Sequence, residues 1–153
     1  AMKRFALAAA LLATAATGLA VAQQPEEEIR YRQSVMNVMG RAMGPMGAMA
    51  QGKAPFNAAV AQKNAALVDT LLALPWNSFG PGTDFGAPNK ADPKIWKEAA
   101  KFRQAADGAQ KAVASLAAAA KSGDAGKFKA AFGETGKSCK ACHDDFRTKE
   151  FHN

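Results

Sequence analysis

The stretch FKAAFGETGKSCKACHDDF, residues 128–146, carries apolar or sulfur-bearing side chains at helical spacing. The intervals alternate between four and three residues along one series: Phe128, Phe132, Thr135, Cys139, Cys142 and Phe146. Positions three and four apart share one face of a helix, so the series predicts a helix from about Asp124 to Lys149. Both cysteines are expected to face inward, and the apolar face needs other helices to cover it.

Three further helices are predicted upstream, over about Glu26–Ala50, about Pro55–Leu74, and from Asp92-Pro93 to Gly123. The expected inward face of the first comprises Ile29, Met36, Met39, Met43, Met46 and Ala50. That of the second comprises Phe56, Val60, Leu67, Leu71 and Leu74. That of the third comprises Trp96, Ala99, Ala106, Ala109, Val113, Leu116 and Ala120. Pro45 lies inside the first helix, where a kink is expected.

The connection over residues 75–92 is too rich in glycine and proline to be a helix. It is long enough to cross from one end of a bundle to the other, whereas the other two connections are short. The sequence therefore predicts an all-α fold, an antiparallel up-down four-helix bundle with a long loop between helices two and three. This single domain is expected to occupy residues 23–153.

Residues 1–22 have the organisation of a secretory signal peptide, with two basic residues followed by an apolar run. Ala20-Val21-Ala22 fits the cleavage rule and predicts a mature start at Gln23. Ala1, which precedes Met2, is interpreted as a remnant of cloning. A permanent membrane anchor is the alternative, although the run is short for a span. Export predicts a periplasmic location, with no stable membrane insertion after cleavage.

The charge balance is basic, with 20 Lys+Arg against 13 Asp+Glu. Removing the leader takes away Lys3 and Arg4 and no acid, which leaves 18 against 13, a formal +5. Several basic residues cluster near the C-terminus: Lys127, Lys129, Lys137, Lys140, Arg147 and Lys149. A moderately positive face suits an acidic protein partner. Nucleic acid is not expected, because no binding motif is present.

Cys139-Lys140-Ala141-Cys142-His143 matches C-x-x-C-H, the attachment signature of c-type haem. On a helix the two thiols share a face, so each can bond one vinyl group of a single porphyrin. The histidine that follows can then coordinate iron. A redox dithiol, a disulfide and a zinc site are the alternatives. The first needs a strand–helix fold, the second is strained within one helical turn, and the third lacks ligands.

The chain resembles the class II cytochromes c and, within them, cytochrome c′. The resemblance covers nearly all of residues 25–150 and is most specific at Tyr31-Arg32-Gln33-Ser34, at Leu74 to Thr83 and at Ala131 to Asp144. It implies a periplasmic, usually dimeric protein with one covalent haem c, used for electron transfer or for binding NO and CO. The implied site residues are Cys139, Cys142 and His143 for attachment and iron, Arg32 and Gln33 for the haem propionates, Trp76 and Phe79 beside the pocket, and Arg147 near His143.

Arg32 also attracts attention without the resemblance. It lies one helical turn before Met36 on the expected inward stripe, where a charge needs a polar partner. A haem propionate would supply that partner. The alternative is a surface arginine that extends its head group outward into solvent.

Met36 leaves two interpretations open. By resemblance it faces the open side of the iron, where the simplest pattern has a residue that does not bind the metal. In low-spin relatives of the class a methionine on this helix ligates iron, and Gly40-Arg41 followed by Met43 also resembles those relatives. The loop from Trp76 to Thr83 resembles cytochrome c′ instead. We favour a five-coordinate iron, with Met36 as the sixth ligand of a pure electron carrier as the alternative.

The other methionines of residues 36–49 have the spacing of a buried stripe, so core packing is expected for most of them. A copper(I) site built from thioethers is the alternative. No enzymatic activity is expected, because no distal His–Arg pair is visible near Met36 to supply acid–base catalysis. A homodimer is implied by the resemblance. Small residues expected on the outer faces of helices one and two would allow close contact: Ala42, Ala58, Ala59 and Ala65.

Overall fold

The computed structural model describes residues 24–153, so the predicted leader lies outside the described residues. The helices are α1 (Pro25–Ala50), α2 (Ala58–Leu72), α3 (Lys94–Lys97), α4 (Ala99–Lys121) and α5 (Ala125–Phe146). A 3-10 helix spans Pro75–Phe79, and two short antiparallel strands are formed by β1 (Asn89–Ala91) and β2 (Arg147–His152). Helices α1, α2, α4 and α5 form the bundle, which confirms the all-α fold and the four-helix architecture.

Helix α1 runs without interruption through Pro45 to Ala50, and three glutamates occupy its first turn, where the helix dipole favours acids. Its buried stripe is not quite the predicted one. Arg32, Val35 and Ala42 are buried, whereas Met36 and Met43 are only partly buried and flank the stripe. Helical spacing allows either of two neighbouring rows to be the buried one, and the positions of the helices packed against α1 decide between them.

The predicted inward face of the second helix is wrong for three of its large residues, whereas Phe56 and Leu71 pack partly buried against the core. Val60, Leu67 and Leu74 are 37%, 39% and 44% exposed, and the core instead receives Ala61, Ala65, Val68 and Leu72. Helix α2 packs against both α1 and α4. Small side chains let it approach two neighbours closely in an interior packed to crystal-like density.

The predicted outer position of two alanines is wrong for the same reason. Ala42 is 5% exposed and Ala65 is fully buried, so both belong to the core. Ala58 is partly buried and Ala59 is exposed. The small residues of helices one and two therefore serve mainly to bring helices together inside the protomer.

The third predicted helix is divided in two. Glu98, with φ −119° and ψ 44°, separates α3 from α4. The Asp92 side chain accepts a hydrogen bond from the Lys94 backbone N–H at 2.9 Å, as a residue that opens a helix does. The predicted face of α4 is confirmed over Ala106, Ala109, Val113, Leu116 and Ala120, but Ala99 is exposed.

The last helix ends earlier than predicted. Helix α5 stops at Phe146 rather than Lys149, because the following residues are extended and pair with β1. The Asp92 backbone N–H donates to the Phe146 carbonyl at 2.9 Å and closes the corner. The connection over residues 75–92 thus has structure of its own, a 3-10 helix and a strand, which its turn residues did not predict.

The core lies among the four long helices, where Met46, Leu116 and Phe128 are almost fully buried. Helix α1 packs less extensively against α5 than against α2. The two approach closely at one end, where a Cβ placed on Gly47 would lie 3.4 Å from the Phe132 ring. Between α1 and α5, the rest of the bundle is therefore more open. Within residues 24–153, no helix combines the length and apolar character needed to cross a membrane.

Candidate functional site

Helix α5 carries the C-x-x-C-H motif near its C-terminal end. Cys139 and Cys142 are free thiols, each partly buried, and His143 is exposed. Asp124 begins the helix by accepting a hydrogen bond from the Lys127 backbone N–H at 2.8 Å. Two free thiols separated by one turn, with an imidazole at the next position, fit the attachment of one porphyrin by two thioether bonds and one axial nitrogen.

The electrostatics of the motif favour neutral groups. Burial raises the pKa of both thiols, and the Cys139 and Asp145 charges raise that of Cys142 further. Although His143 is exposed as a whole residue, partial desolvation of its ring lowers its pKa, and the positive charge of Arg147 lowers it further, with Asp144 opposing. A neutral imidazole has a lone pair available, which is the form that a metal ligand requires.

Four aromatic rings form a wall that leads to this motif. The Trp76 and Phe79 ring centroids lie 6.4 Å apart, and Phe102 meets Phe79 edge-on at 5.0 Å. Phe102 also meets Phe146 at 5.3 Å, and Phe146 is three residues beyond His143. The structure therefore places Trp76 and Phe79 next to each other in a wall that reaches Phe146 on α5, and their position beside a haem pocket stays a prediction.

Phe102 was missed by the sequence reasoning. The series Ala99, Phe102, Ala106 and Ala109 has steps of three and four, so helical spacing could have identified it. The Trp76 indole nitrogen is buried without a hydrogen-bond partner among the described residues. Since an unpaired buried donor costs about 1–3 kcal/mol, packing rather than polar bonding holds this part of the wall.

Arg32 is buried, with 3% of its surface exposed, so the outward-pointing alternative is wrong. Its guanidinium donates to the Ser78 carbonyl at 2.9 Å, and to the Thr83 hydroxyl at 3.0 Å and carbonyl at 2.7 Å. It also lies over the Phe79 ring, 4.5 Å from the centroid. The partners of this buried charge are thus loop oxygens of the protein.

The predicted contact of Arg32 with a haem propionate stays a prediction. A guanidinium has five N–H donors and three are used here, which leaves two for another acceptor. Burial lowers the pKa of Arg32 to about 10, while Glu28 and Asp84 oppose the shift. The side chain therefore remains a cation at neutral pH.

Gln33 lies on the exposed side of α1 and donates from its amide nitrogen to the Pro88 carbonyl at 2.9 Å. Its predicted propionate contact likewise stays a prediction. Together, Arg32 and Gln33 attach the segment of residues 78–88 to the first helix. Consecutive residues of α1 thus hold the same loop at two points.

The methionines of α1 are confirmed as packing residues. Met39 and Met46 are buried in the core, with Met36, Met43 and Met49 packed against it. The Met49 sulfur accepts a hydrogen bond from the Asn57 backbone N–H at 3.2 Å. Met36, one turn after Arg32, remains partly exposed at the edge of the stripe. Its position therefore allows Met36 to line the more open region between α1 and α5.

His152, the second histidine of the chain, forms a hydrogen bond outside the C-x-x-C-H motif. One ring nitrogen lies 2.8 Å from the Ala91 carbonyl, to which it donates across the two strands. Among residues 24–153 there is no group of three His, Cys, Asp or Glu residues arranged to hold a metal ion.

Comparisons with known proteins point to one family. The sequence model described as Cytochrome C′ matches residues 27–147. The chain is similar to cytochrome c′ of Rubrivivax gelatinosus, with 52% identity over 127 residues, 83% of this chain and 98% of the relative. A crystal structure of cytochrome c′ from the same organism superposes with a TM-score of 0.80 at 52% identity, covering 82% and 98% of the two chains. A nitric oxide complex of a cytochrome c prime mutant from Alcaligenes xylosoxidans gives a TM-score of 0.77 at 45% identity, covering 83% and 98%.

Proposed function

Because this chain belongs to the cytochrome c′ family, we propose that it is a periplasmic haem protein that binds a diatomic gas at a five-coordinate iron and transfers electrons. The cofactor is haem c, one per chain, which supplies a redox-active iron able to bind a small ligand. We assign its two thioether bonds to Cys139 and Cys142, and the axial ligand to His143. The carrying observation is the C-x-x-C-H motif on α5, whose two cysteines lie one turn apart without a disulfide and are followed directly by His143.

Two observations support the open iron site. The aromatic wall and Met36 offer an apolar surface, and such a surface provides no strong sixth ligand other than the Met36 sulfur. A solved relative at 45% identity is a nitric oxide complex. NO and CO are accordingly the gases proposed here. The alternative is a low-spin electron carrier with Met36 bound to the iron, which would exclude gases.

The visible spectrum of the ferrous holoprotein, before and after CO, distinguishes these two functions. The expected result is a broad high-spin Soret band that sharpens with CO. Met36→Leu is expected to keep that response, because leucine preserves the apolar surface and removes only the sulfur. Narrow low-spin bands that ignore CO in the native chain, but respond to CO in the leucine variant, would instead assign the sixth ligand to Met36.

We propose no enzymatic activity for this site. Arg32, the buried cation next to the wall, is already hydrogen-bonded to loop oxygens and is fixed as a cation. It is therefore a poor acid–base group at neutral pH. Peroxide turnover well above that of free haem would contradict this assignment.

The proposed periplasmic location rests on the features of the leader, and the proposed acidic electron-transfer partner rests on the basic charge balance of the remaining chain. Residues 1–22 have signal-peptide features, and the remaining chain carries 18 Lys+Arg against 13 Asp+Glu. An acidic redox protein is the partner that this balance suits, because opposite charges accelerate encounter. Its association should weaken as ionic strength rises.

A homodimer is proposed through a surface different from the alanines considered above. Val60 and Leu67 on α2 and Leu74, two residues beyond its end, are spaced by seven residues and are all exposed. Tyr31 and Val38 repeat the same spacing on α1, each 45% exposed. Exposed apolar rows at heptad spacing on two helices are suited to packing against a second copy.

Leu67→Lys is expected to shift the holoprotein from dimer to monomer in sedimentation at micromolar concentration. A lysine in the centre of the apolar row would bring two like charges into the interface and desolvate them. Ala114→Lys, on the exposed face of α4, is the matched control and should remain dimeric. A monomeric native chain at this concentration would refute the dimer.

A further inference from the structure

The C-terminal strand β2 lies almost entirely beyond the residues that the family's sequence model matches. The match ends at residue 147, and β2 spans Arg147–His152. It pairs with β1 in antiparallel register, Asn89 with His152 and Ala91 with Arg147. We call β2 the strap, and residues 75–92, which carry Trp76 and Phe79, the wall segment.

Side chains reinforce the strand pairing at both ends. The Lys90 ammonium donates to the Lys149 carbonyl at 2.6 Å and lies 4.6 Å from the centroid of the Phe151 ring. His152 donates to the Ala91 carbonyl at 2.8 Å. A cation over an aromatic face and a charge-assisted hydrogen bond are each stronger than an ordinary surface contact. Two of these residues, Lys90 and His152, have no role in the function proposed above.

The pairing is connected to the aromatic wall by a short series of hydrogen bonds. Asn89, 1% exposed, donates to the Asp84 carbonyl at 3.3 Å and the Ala87 carbonyl at 3.0 Å. Thr83 directly precedes this turn, and its hydroxyl and carbonyl accept hydrogen bonds from Arg32. The Trp96 indole donates to the Gly80 carbonyl at 2.9 Å. A continuous path therefore runs from the strap through Asn89 and the turn over residues 84–87 to Thr83 and Phe79, and each step is a hydrogen bond or a short stretch of backbone.

We propose that the strap is a positioning element, and that Lys90 on the wall segment and His152 on the strap are the positioning residues that hold the two together. The strap fastens the wall segment to the end of α5 and so fixes the distance between the aromatic wall and the haem-attachment motif. The strap begins four residues after His143, and the Phe146 carbonyl already accepts the Asp92 N–H. The effect of the strap on ligand entry rests on the proposed function. Its attachment of the wall segment to α5 does not.

Without the strap, the wall segment keeps its bonds to Arg32, Gln33 and Trp96, but its hydrogen bonding to the end of α5 is reduced to the bond from the Asp92 N–H to the Phe146 carbonyl. The free energy of local opening of a segment depends on which bonds must break before the segment can separate from the rest of the protein. A hydrogen bond contributes about 0.5–1.5 kcal/mol, so loss of the two side-chain fastenings should raise local opening by about tenfold or more. The long helices do not depend on β2 and should be unaffected.

Amide hydrogen exchange of the holoprotein, followed by mass spectrometry of peptides, tests the proposal. The variants are a chain ending at Thr148, the pair Lys90→Met with His152→Ala, and Lys90→Arg as the conservative change. Exchange is expected to rise about tenfold in the peptides covering residues 89–92 and 78–85 for the first two variants. Lys90→Arg should retain protection. Lys97→Met, an exposed lysine of α3, is the matched control and should change neither peptide.

Increased exchange confined to residues 89–92, with 78–85 unchanged, would overturn the proposal, because the strap would then close only the chain end. So would an unchanged exchange in both peptides. CO association with the ferrous form, measured on the same samples, is expected to be faster in the strapless chain. If no variant binds CO, the proposed gas-binding function fails, while the exchange result still decides the role of the strap.

Discussion

Replacing both Cys139 and Cys142 with alanine is expected to leave no haem attached to the protein after extraction with acidified butanone. The thiols are free and lie one turn apart on α5, so they are the groups available for thioether bonds. Covalent haem survives denaturation and non-covalent haem does not. Haem staining of a denaturing gel and absorbance of the organic phase measure the same loss independently.

The single replacements and a neighbouring control sharpen this test. Cys139→Ala and Cys142→Ala each leave one thiol, so each should retain part of the haem through one thioether bond. Ser138→Ala, partly buried beside the motif, should retain all of it. Haem that stays with the double alanine chain through acid extraction would show that attachment does not involve these cysteines.

Arg32→Met is expected to lower the free energy of unfolding by about 2–4 kcal/mol, because hydrogen bonds to a charged donor contribute about 1.5–3 kcal/mol each and the loss is only partly offset by removing a buried charge. The change leaves the Ser78 carbonyl and both Thr83 oxygens without this donor. Urea denaturation of the holoprotein at pH 7 measures it, with the arginine fully charged since its pKa is about 10.

Two variants make the Arg32 result specific. Arg32→Lys keeps the charge but has one nitrogen in place of the planar fork, so an intermediate loss is expected. Arg30→Met removes an exposed arginine whose ion pair with Glu26 lies on the surface of the same helix, and little change is expected. Equal effects of Arg30→Met and Arg32→Met would contradict the role of Arg32 as the residue that holds the loop.

The structure also explains why α2 was predicted with the wrong face. Val60, Leu67 and Leu74 satisfy helical spacing as well as Ala61, Ala65 and Val68 do, and the larger residues carry the stronger hydrophobic signal. A periodic pattern states that two faces exist but not which one meets the neighbouring helices. That choice depends on the distance to α1 and α4, where small side chains pack better.

The strands and the partners of Arg32 were beyond prediction for a related reason. The last helix was predicted to extend to Lys149, but residues 147–152 are extended and pair with β1. The need of Arg32 for a buried partner was correctly inferred, but the Ser78 and Thr83 oxygens come from residues 46 and 51 positions away. Contacts between distant residues leave no periodic signal in the sequence.

Local chemistry and helical periodicity were thus readable from the order of amino acids: the C-x-x-C-H motif on one helix, four amphipathic segments, and the long connection rich in turn residues. These features depend on neighbours three or four positions apart, so a single stretch contains them. The exposed face of α2, the strap on the wall segment and the oxygens around Arg32 depend on how separate elements pack. Only the folded chain brings those atoms within contact distance, and there close packing and the pairing of buried polar groups select one arrangement.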